Sequence, residues 1–429
     1  MSTATIPYEV RAAEEGAFRL TAAALVLLLV TQRLVLPTGG AQIPFALPVI
    51  AVAALICLRR GRLGLDRQRL RYYSLSMVIL LALSLWHIGS GREVSLASIG
   101  LLLVTYATAT LTIPGMSERS IRRVLRLYVN LMVGAGAIAV GQFALQYLGI
   151  QSRDWLASVV PPAFLLSGYN TGDPISYGAD IIRSNGVLFV EPSFLSLFVG
   201  VAFVVCINLR APGWKLIILG LAVATTVAGN GVVVIIIGLA TSLLGRQRRN
   251  AVRVLILGGI VFLAASLTPL AGLVVQRVDE IADPGSSSSQ RLVEPYDILM
   301  PTVISDAATF LFGQGAGVAD DIIAATGASG VLAPVLAKLL VEYGAIGTAG
   351  FLLFIFHSLG APSVRRPWAA GILVAYFFVN AALLQYTLAT FAIILLGLLR
   401  PAAQTMRFEA GVGFLRGAHR HRNAAGGNL

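Results

Sequence analysis

The feature that most constrains this chain is a succession of long apolar segments with almost no charge inside them. Its mean hydropathy is +0.82 and only 12% of its residues are charged, against about 25% in a soluble domain. An apolar run of about 17–25 residues crosses a bilayer as one helix, and helices or closed barrels are the only spanning structures that satisfy the backbone. The alternating pattern of barrel strands is not what this sequence shows. It predicts an all-α polytopic integral membrane protein.

Twelve such segments can be distinguished, which places both ends of the chain on one side of the membrane. The predicted spans are 18–36, 42–58, 72–88, 96–113, 125–148, 189–209, 214–228, 230–244, 252–270, 334–357, 368–385 and 387–400. The runs 214–244 and 369–400 are each barely long enough for two helices. If both runs were single helices, the chain would have ten spans and its two ends would still lie on the same side of the membrane. Residues 1–17 and the basic tail 401–429 flank this membrane domain.

The distribution of Lys and Arg predicts the orientation. With both termini in the cytoplasm, 25 of the 32 basic residues lie on the cytoplasmic side and 7 lie outside, as the positive-inside rule requires. Acidic residues are distributed in the opposite way, with 6 inside and 14 outside. The net charge of +12 therefore reflects membrane topology and contact with anionic lipid, and a nucleic acid partner is not expected.

Two exterior loops are much longer than the others, and function is expected there. Residues 149–188 interleave Phe164, Tyr169 and Tyr177 with Gly, Pro, Asn and Asp. Tyrosines among amide and carboxylate groups suit a sugar, whose ring presents apolar faces and hydroxyl groups. The same composition also describes an ordinary surface loop, so both interpretations stay open.

The second long loop, residues 271–333, carries two of the few exterior basic residues, Arg277 and Arg291. The planar fork of arginine suits a phosphate. Salt bridges to neighbouring carboxylates are the alternative. Asp320 and Asp321, later in this loop, are interpreted as a solvated pair rather than metal ligands, since the chain has no Asp-x-Asp motif and no His/Cys cluster with ligand spacing.

Five short segments then occur in a recognisable order. They are "RSNGVLFVEPSF" from Arg183, "TTVAGNGVVVIIIGLA", "SSSSQRLVEPYDIL", "LFGQGAGV" and "APVLAKLLVEYGAIGTAGFLLFIF". With the twelve predicted spans, residues from about 70 to 400 resemble bacterial O-antigen and exopolysaccharide polymerases of the Wzy type, in which an arginine, a glycine three positions on and "EPS" open a span.

The chain departs from this pattern in two places. Gly229, Asn230 and Gly231 stand where such polymerases have an arginine after the seventh span. The related O-antigen ligases carry a His-Asn pair before the "E-x-G" span, whereas this chain has "ASGVLAP" there and its exterior histidine, His87, lies elsewhere. The second departure favours a polymerase over a ligase.

The resemblance implies a GT-C-like architecture with two larger periplasmic loops in the bacterial inner membrane. It also implies a glycosyltransferase without metal or other cofactor. Such an enzyme moves a growing glycan from undecaprenyl diphosphate to a sugar hydroxyl of another lipid-linked repeat unit. Donor and acceptor oligosaccharides and membrane lipid are then the partners, with a chain-length regulator and a flippase as possible protein partners.

The resemblance also implies roles for individual residues. Arg183 and Arg291 are assigned to the departing diphosphate, with Arg277 in reserve, because preorganised cationic donors stabilise developing negative charge. Glu191 is assigned as general base. The alternative for Glu191 is a helix-end carboxylate that complements the macrodipole and pairs with Arg183.

Lys338 and Glu342 lie one helical turn apart in the tenth predicted span. They form either an intrahelical ion pair or part of an acceptor cavity. Gln385, at the end of the eleventh predicted span, is predicted to hydrogen-bond between helices. The further residues assigned to substrate binding, from the motif-like segments and the first long loop, are Asn185, Tyr177, Ser193, Asn230 and Gln314.

A different class of protein shares the same topology. Secondary transporters also have twelve spans with both termini inside, and internal repeats mark their sites. The two halves of this chain show no convincing similarity, and an exterior loop of about 60 residues is unusual in a transporter. The polymerase therefore remains the first prediction.

Overall fold

The protein is mostly helical, as the apolar segments predict. The computed structural model describes residues 8–38, 42–150, 153–167, 180–244, 289–328, 331–360, 366–379 and 383–399, with short pieces near 169–175 and 249–259. The predictions for Tyr177, Arg277 and most of span 252–270 lie outside the described residues, as does the side chain of Arg291.

The first half of the described chain contains five helices of 12 residues or more and two small antiparallel strand pairs. The helices are α1 (Tyr8–Thr31), α2 (Ala46–Arg59), α3 (Arg67–Gly89), α4 (Leu96–Ala107) and α5 (Glu118–Tyr147), followed by the short α6 (Trp155–Val159). The strands are β1 (Val35–Pro37), β2 (Gln42–Pro44), β3 (Gly64–Leu65) and β4 (Leu111–Thr112). Strand β1 pairs antiparallel with β2, and β3 pairs antiparallel with β4. Single-turn 3₁₀ helices cover Thr108–Thr110 and Pro162–Phe164.

The second half begins with the most buried helix. The helices are α7 (Pro192–Leu209), α8 (Gly213–Thr226), α9 (Gly229–Leu244), α10 (Ser289–Leu292), α11 (Glu294–Val303), α12 (Ala307–Phe312), α13 (Val318–Ala325), α14 (Val335–Ile355), α15 (Pro367–Val374) and α16 (Tyr386–Ala392). π-helical turns continue the last three as Phe356–Gly360, Ala375–Val379 and Ile393–Leu398.

Every predicted span that the structure describes overlaps one of these helices, although the first, 18–36, ends in β1 rather than in α1. The run 214–244 divides into α8 and α9, as the twelve-span prediction requires, at Val227, whose φ of 46° is left-handed. Helices α3, α5, α7 and α14 with its continuation to Leu359 are long and apolar enough to cross a membrane by length and composition. Shorter apolar helices of 10–17 residues accompany them.

Large apolar side chains on the outer faces of these helices are exposed. Examples are Leu55 on α2, Val78 and Leu85 on α3, Ile217 on α8 and Ile236 on α9. Water does not favour so much exposed apolar surface, whereas lipid does. The chain is therefore a helical membrane protein.

Helix α7 lies at the centre of the bundle, packed against α5, α8, α9 and α15. Small residues let α9 approach it closely: a Cβ on Gly231 would lie 2.2 Å from the carbonyl oxygen of Ser196. The Ser196 hydroxyl accepts a hydrogen bond from the Gly231 amide at 3.1 Å and donates one to the Ala228 carbonyl at 3.0 Å. These bonds satisfy the backbone where α8 turns into α9, beside the first turns of α7.

Candidate functional site

A buried lysine is the centre of the clearest charged cluster. Lys338 Nζ, in the first turn of α14, lies 2.5 Å from Asp320 Oδ2 on α13 and 3.1 Å from Glu342 Oε1 one turn further along α14. The side chain of Glu342 is 1% exposed and that of Lys338 is 7% exposed, whereas that of Asp320 is 62% exposed. Lys338 and Glu342 form an ion pair, but the two groups are not aligned for a hydrogen bond.

The sequence left two interpretations of Lys338 and Glu342 open; the structure shows the ion pair, while a role in an acceptor cavity stays a prediction. The two groups form the intrahelical pair, and Lys338 also lines a cavity. Asp320 is solvated as predicted, with a side chain that is 62% exposed, but it also binds Lys338, which the sequence did not indicate. Asp321 is exposed. The reason is that α13 folds back against α14, a contact that no local pattern indicates.

The cavity next to Lys338 has a volume of about 230 Å³. Its lining residues come from seven segments that the predicted topology places on one side of the membrane: Gln32, Val35, Gln42, Pro44, Leu101, Leu166, Tyr169, Asp320, Leu332, Ala333, Lys338, Leu384, Gln385, Tyr386 and Thr387. The wall combines polar side chains with leucines, Val35, Pro44 and Ala333. Such a mixed wall is typical of a binding site for a small polar ligand.

Tyr169 joins this cavity to the start of α7. Gln385 Nε2 donates a hydrogen bond to the Tyr169 hydroxyl at 3.1 Å. The ring of Tyr169 meets that of Phe194 edge to face at 5.9 Å. Gln385 therefore bonds to a loop residue rather than to another helix, and the first long loop contributes the aromatic residue that its composition suggested for a sugar.

A glycine turn fixes the position of Glu342. The Gln314 amide donates to the Val341 carbonyl at 2.8 Å, and the Gly315 amide donates to the Glu342 carbonyl at 2.9 Å. Helix α14 is open to these donors because its backbone is broken at Gly344, where φ is 63° and ψ is −171°. The assignment of Gln314 to substrate binding stays a prediction, but its backbone positions the helix that carries Lys338.

A second ion pair lies at the same end of the bundle. Arg33 Nη1 donates to Asp154 Oδ1 at 2.8 Å and to the Val187 carbonyl at 3.1 Å, while its Nη2 contacts Asp154 Oδ2. Thr171 also donates to Asp154. Partial burial raises the pKa of Asp154, but the hydrogen bonds from Arg33 and the Ala157 amide outweigh it and hold the pKa below its usual value. This pair ties the end of α1 to the first long loop.

Sequence reasoning missed Arg33, although a signal was present. Arg33 is one of the seven exterior basic residues in the predicted topology. The scarcity that singled out Arg277 and Arg291 applies equally to it. The side chain is 8% exposed, so its role is to anchor the loop.

The segment from Arg183 to Ser193 is held by the side chain of Asn185 and by bonds to Gln142 and Pro174 outside it. Asn185 Oδ1 accepts from the Val187 amide at 3.0 Å and from Gln142, and its amide nitrogen donates to the Phe189 carbonyl at 3.2 Å. Arg183 Nε donates to the Pro174 carbonyl at 3.0 Å. Glu191 is the N-cap residue of α7 and is buried, but its side chain makes no capping hydrogen bond.

Two further predicted residues are buried near this segment. Ser193, in the first turn of α7, has a buried hydroxyl without a hydrogen-bond partner among the residues described. Asn230, in the first turn of α9, is 5% exposed. Within the described ranges, no three His, Cys, Asp or Glu side chains come close enough to hold a metal ion.

The structure thus brings Lys338, Glu342 and Gln314 together and adds Asp320, Gln32, Tyr169 and Gln385, which the assignment of site residues did not include. Glu191 and Ser193 adjoin this group through Phe194 and Tyr169. In the comparisons with known proteins, no family model, no curated protein and no solved structure matches this chain.

Proposed function

We propose that this protein is a polysaccharide polymerase of the Wzy type with twelve spans, a GT-C-like arrangement and both termini in the cytoplasm. It joins lipid-linked repeat units into a surface polymer on the periplasmic face of the inner membrane. The observation that carries the proposal is the cavity at Lys338. It combines a cation, amide groups and tyrosines at one end of a membrane bundle. This is the chemistry that a sugar attached to a membrane lipid needs.

The reaction requires three kinds of group. A hydroxyl of the acceptor sugar attacks the anomeric carbon of the donor glycan, the bond from that carbon to the diphosphate breaks, and the diphosphate leaves with the electron pair. A base takes the hydroxyl proton, and we assign this role to Glu191. Cationic groups stabilise the departing diphosphate, and Arg183 and Arg291 are the proposed residues.

The positions of Glu191 and the cavity support this assignment. Glu191 immediately precedes α7, and Phe194 in the first turn of α7 touches Tyr169, which lines the cavity. A sugar in the cavity therefore lies near the start of α7. The buried position of Glu191 excludes much of the water that competes with a sugar hydroxyl as nucleophile.

The choice of polymerase over ligase depends on His87. Its Nε2 lies 3.2 Å from the Phe312 carbonyl oxygen, and it packs against Trp86 and the turn before Gly315. It thus helps to hold the glycine turn. The His-Asn pair of the ligases has no counterpart in the sequence before α14.

Deletion of the gene tests the proposal directly. Loss of the protein is expected to abolish long surface polymer, while single repeat units still form on undecaprenyl diphosphate and accumulate there. Lipid-linked glycans and surface polymer are both measured by extraction and mass spectrometry. Long polymer that stays on undecaprenyl diphosphate identifies a ligase instead, and unchanged lipid-linked glycans and surface polymer contradict both enzymes.

A further inference from the structure

Two glutamines in the cavity wall have unused hydrogen-bonding capacity. Gln32 Nε2 donates to the Leu29 carbonyl at 3.0 Å, which fixes the other end of this amide as the acceptor oxygen. Gln385 uses one end of its amide to bond the Tyr169 hydroxyl. The side-chain oxygens of both residues are buried and have no hydrogen-bond partner in the described part of the chain. Buried acceptors are normally satisfied, so an exception needs an explanation.

A ligand with hydroxyl groups provides that explanation. Both glutamines line the same cavity, from the end of α1 and the residue before α16. Both oxygens are buried beneath the cavity surface, so a hydroxyl can donate to Gln32 or Gln385 once the side-chain amide turns toward the cavity. The leucines and aromatic rings of the same wall offer contact to the apolar face of a sugar ring.

The size of the cavity limits the ligand to one ring. Pockets for drug-sized ligands have volumes of about 300–1,000 Å³. At about 230 Å³, this cavity is smaller and suits one monosaccharide. The rest of an oligosaccharide must then extend outside it.

The charges of the wall determine which monosaccharide fits. Lys338 is the one cation among the described lining residues, and its ammonium group already contacts the carboxyl groups of Asp320 and Glu342. The cluster therefore has no surplus positive charge. A uronic acid or sugar phosphate placed here meets the exposed carboxylate of Asp320, and like charges at short range repel. An uncharged sugar meets no such repulsion.

We infer that this cavity is a subsite for one uncharged sugar ring, with Gln32, Gln385 and Asp320 as its polar contacts. The inference rests on the proposed function for the role of that ring, the terminal sugar of the lipid-linked acceptor. Lys338 orients Asp320 and does not hold the diphosphate. The diphosphate binds outside this cavity, on the face that carries Arg183.

Saturation-transfer NMR tests the subsite with the full-length protein in phospholipid nanodiscs, since sugar-based detergents would compete for the site. The probes are glucose, galactose and mannose, with glucuronate and glucose 1-phosphate as anionic counterparts. At least one neutral sugar is expected to bind, and the anionic sugars are expected to bind about tenfold more weakly or not at all. Absence of binding by every neutral sugar, or equal binding of an anionic one, overturns the subsite.

Matched variants locate the binding. Gln32→Met and Gln385→Met keep side-chain length and remove the amide, so each is expected to weaken the neutral sugar about 2- to 12-fold, the value of one hydrogen bond. Gln68→Met changes an exposed glutamine at the start of α3 and is expected to change nothing. Unchanged affinity in both cavity variants places the sugar elsewhere and contradicts the inference. If a variant fails to fold, the comparison of neutral with anionic sugars on the unaltered protein still decides.

This experiment and the gene deletion can fail independently. Suppose that the purified protein binds a neutral sugar through Gln32, but that the deletion strain keeps its long polymer. The subsite is then supported and the polymerase function is contradicted. If instead the deletion strain loses its polymer and the purified protein prefers anionic sugars, the polymerase function is supported and the subsite is contradicted.

Discussion

The charged groups of Lys338 and Glu342 lie 3.1 Å apart, one helical turn from each other, in side chains that are 7% and 1% exposed. Replacing Lys338 with Met leaves the Glu342 carboxyl buried without its cation. Removing one partner of a buried pair costs about 3–5 kcal/mol of folding free energy. We expect Lys338→Met to lower the thermal unfolding temperature in nanodiscs accordingly.

A double variant separates the pair from general damage to the core. Lys338→Met combined with Glu342→Gln removes both charges, and replacing a buried ion pair by neutral groups is often close to neutral in stability. Recovery of most of the lost unfolding temperature is therefore expected. A double variant as unstable as the single one shows that Lys338 acts through contacts other than Glu342.

Gly344 is predicted to be irreplaceable by alanine. Its φ of 63° is left-handed, and a Cβ there would lie 2.4 Å from the Leu311 carbonyl oxygen. The backbone conformation alone costs about 1–3 kcal/mol for a residue with a side chain, and the clash adds to that cost. We expect Gly344→Ala to unfold at a lower temperature and to increase hydrogen exchange at residues 311–315. Gly141→Ala is the control, because Gly141 lies in α5 with open space around it.

The pair of Arg33 and Asp154 predicts acid sensitivity. Hydrogen bonds from Arg33 hold the pKa of Asp154 below its usual value against the opposing effect of burial. A carboxyl whose pKa is lower in the folded state contributes stability above its unfolded pKa of about 3.9 and loses it as the pH falls through the folded pKa. We expect the unfolding temperature to fall below about pH 4 and to fall less steeply in Asp154→Asn. Parallel pH curves for the two proteins would contradict the role of this pair.

The helices of this protein could be predicted from sequence because each apolar run carries its own signal. Even the close pair α8 and α9 could be predicted, since the apolar run 214–244 is too long for one ordinary helix. The site could be predicted only in part. Lys338 and Glu342 share one helix, so their spacing was sufficient to pair them.

The remaining contacts of the site join segments far apart in the chain. Asp320 reaches Lys338 only because the Gly313 to Gly315 turn docks into the break at Gly344, and no periodicity encodes that docking. Gln32 and Gln385 come from opposite ends of the sequence. Their importance rests on unused hydrogen-bonding capacity, which can be recognised only when all their neighbours are known.

The proposed orientation predicts which surfaces an external reagent reaches. Ser167 and Ser305 are exposed and belong to the predicted exterior loops, whereas Arg122 is exposed near the start of α5 on the predicted cytoplasmic side. In a Cys57→Ser background, Ser167→Cys and Ser305→Cys are expected to react with a membrane-impermeant maleimide in intact cells. Arg122→Cys is expected to react only after lysis. Labelling of Arg122→Cys in intact cells reverses the orientation and moves the cavity to the cytoplasmic face.

Glu191 provides the most direct test of the chemistry. It is the buried N-cap residue of α7, and its side chain does not cap the helix, so a purely structural role as cap is not supported. Glu191→Gln keeps the size of the side chain and removes its basicity. A general base contributes about 10²–10⁴-fold to a rate, and turnover of the lipid-linked donor by the purified variant is expected to fall within that range at unchanged protein level.

Glu118→Gln is the matched control for this prediction, because Glu118 is a glutamate at the start of another long helix, α5, on the opposite predicted side. It is expected to turn over donor at the normal rate. Turnover and binding must be measured separately. Removal of a base is expected to lower kcat and to leave binding of the neutral sugar at the Gln32 subsite unchanged. If Glu191→Gln keeps most of its turnover, the proton goes to another group, and Asp320, the exposed carboxylate of the cavity wall, is then the residue to replace next.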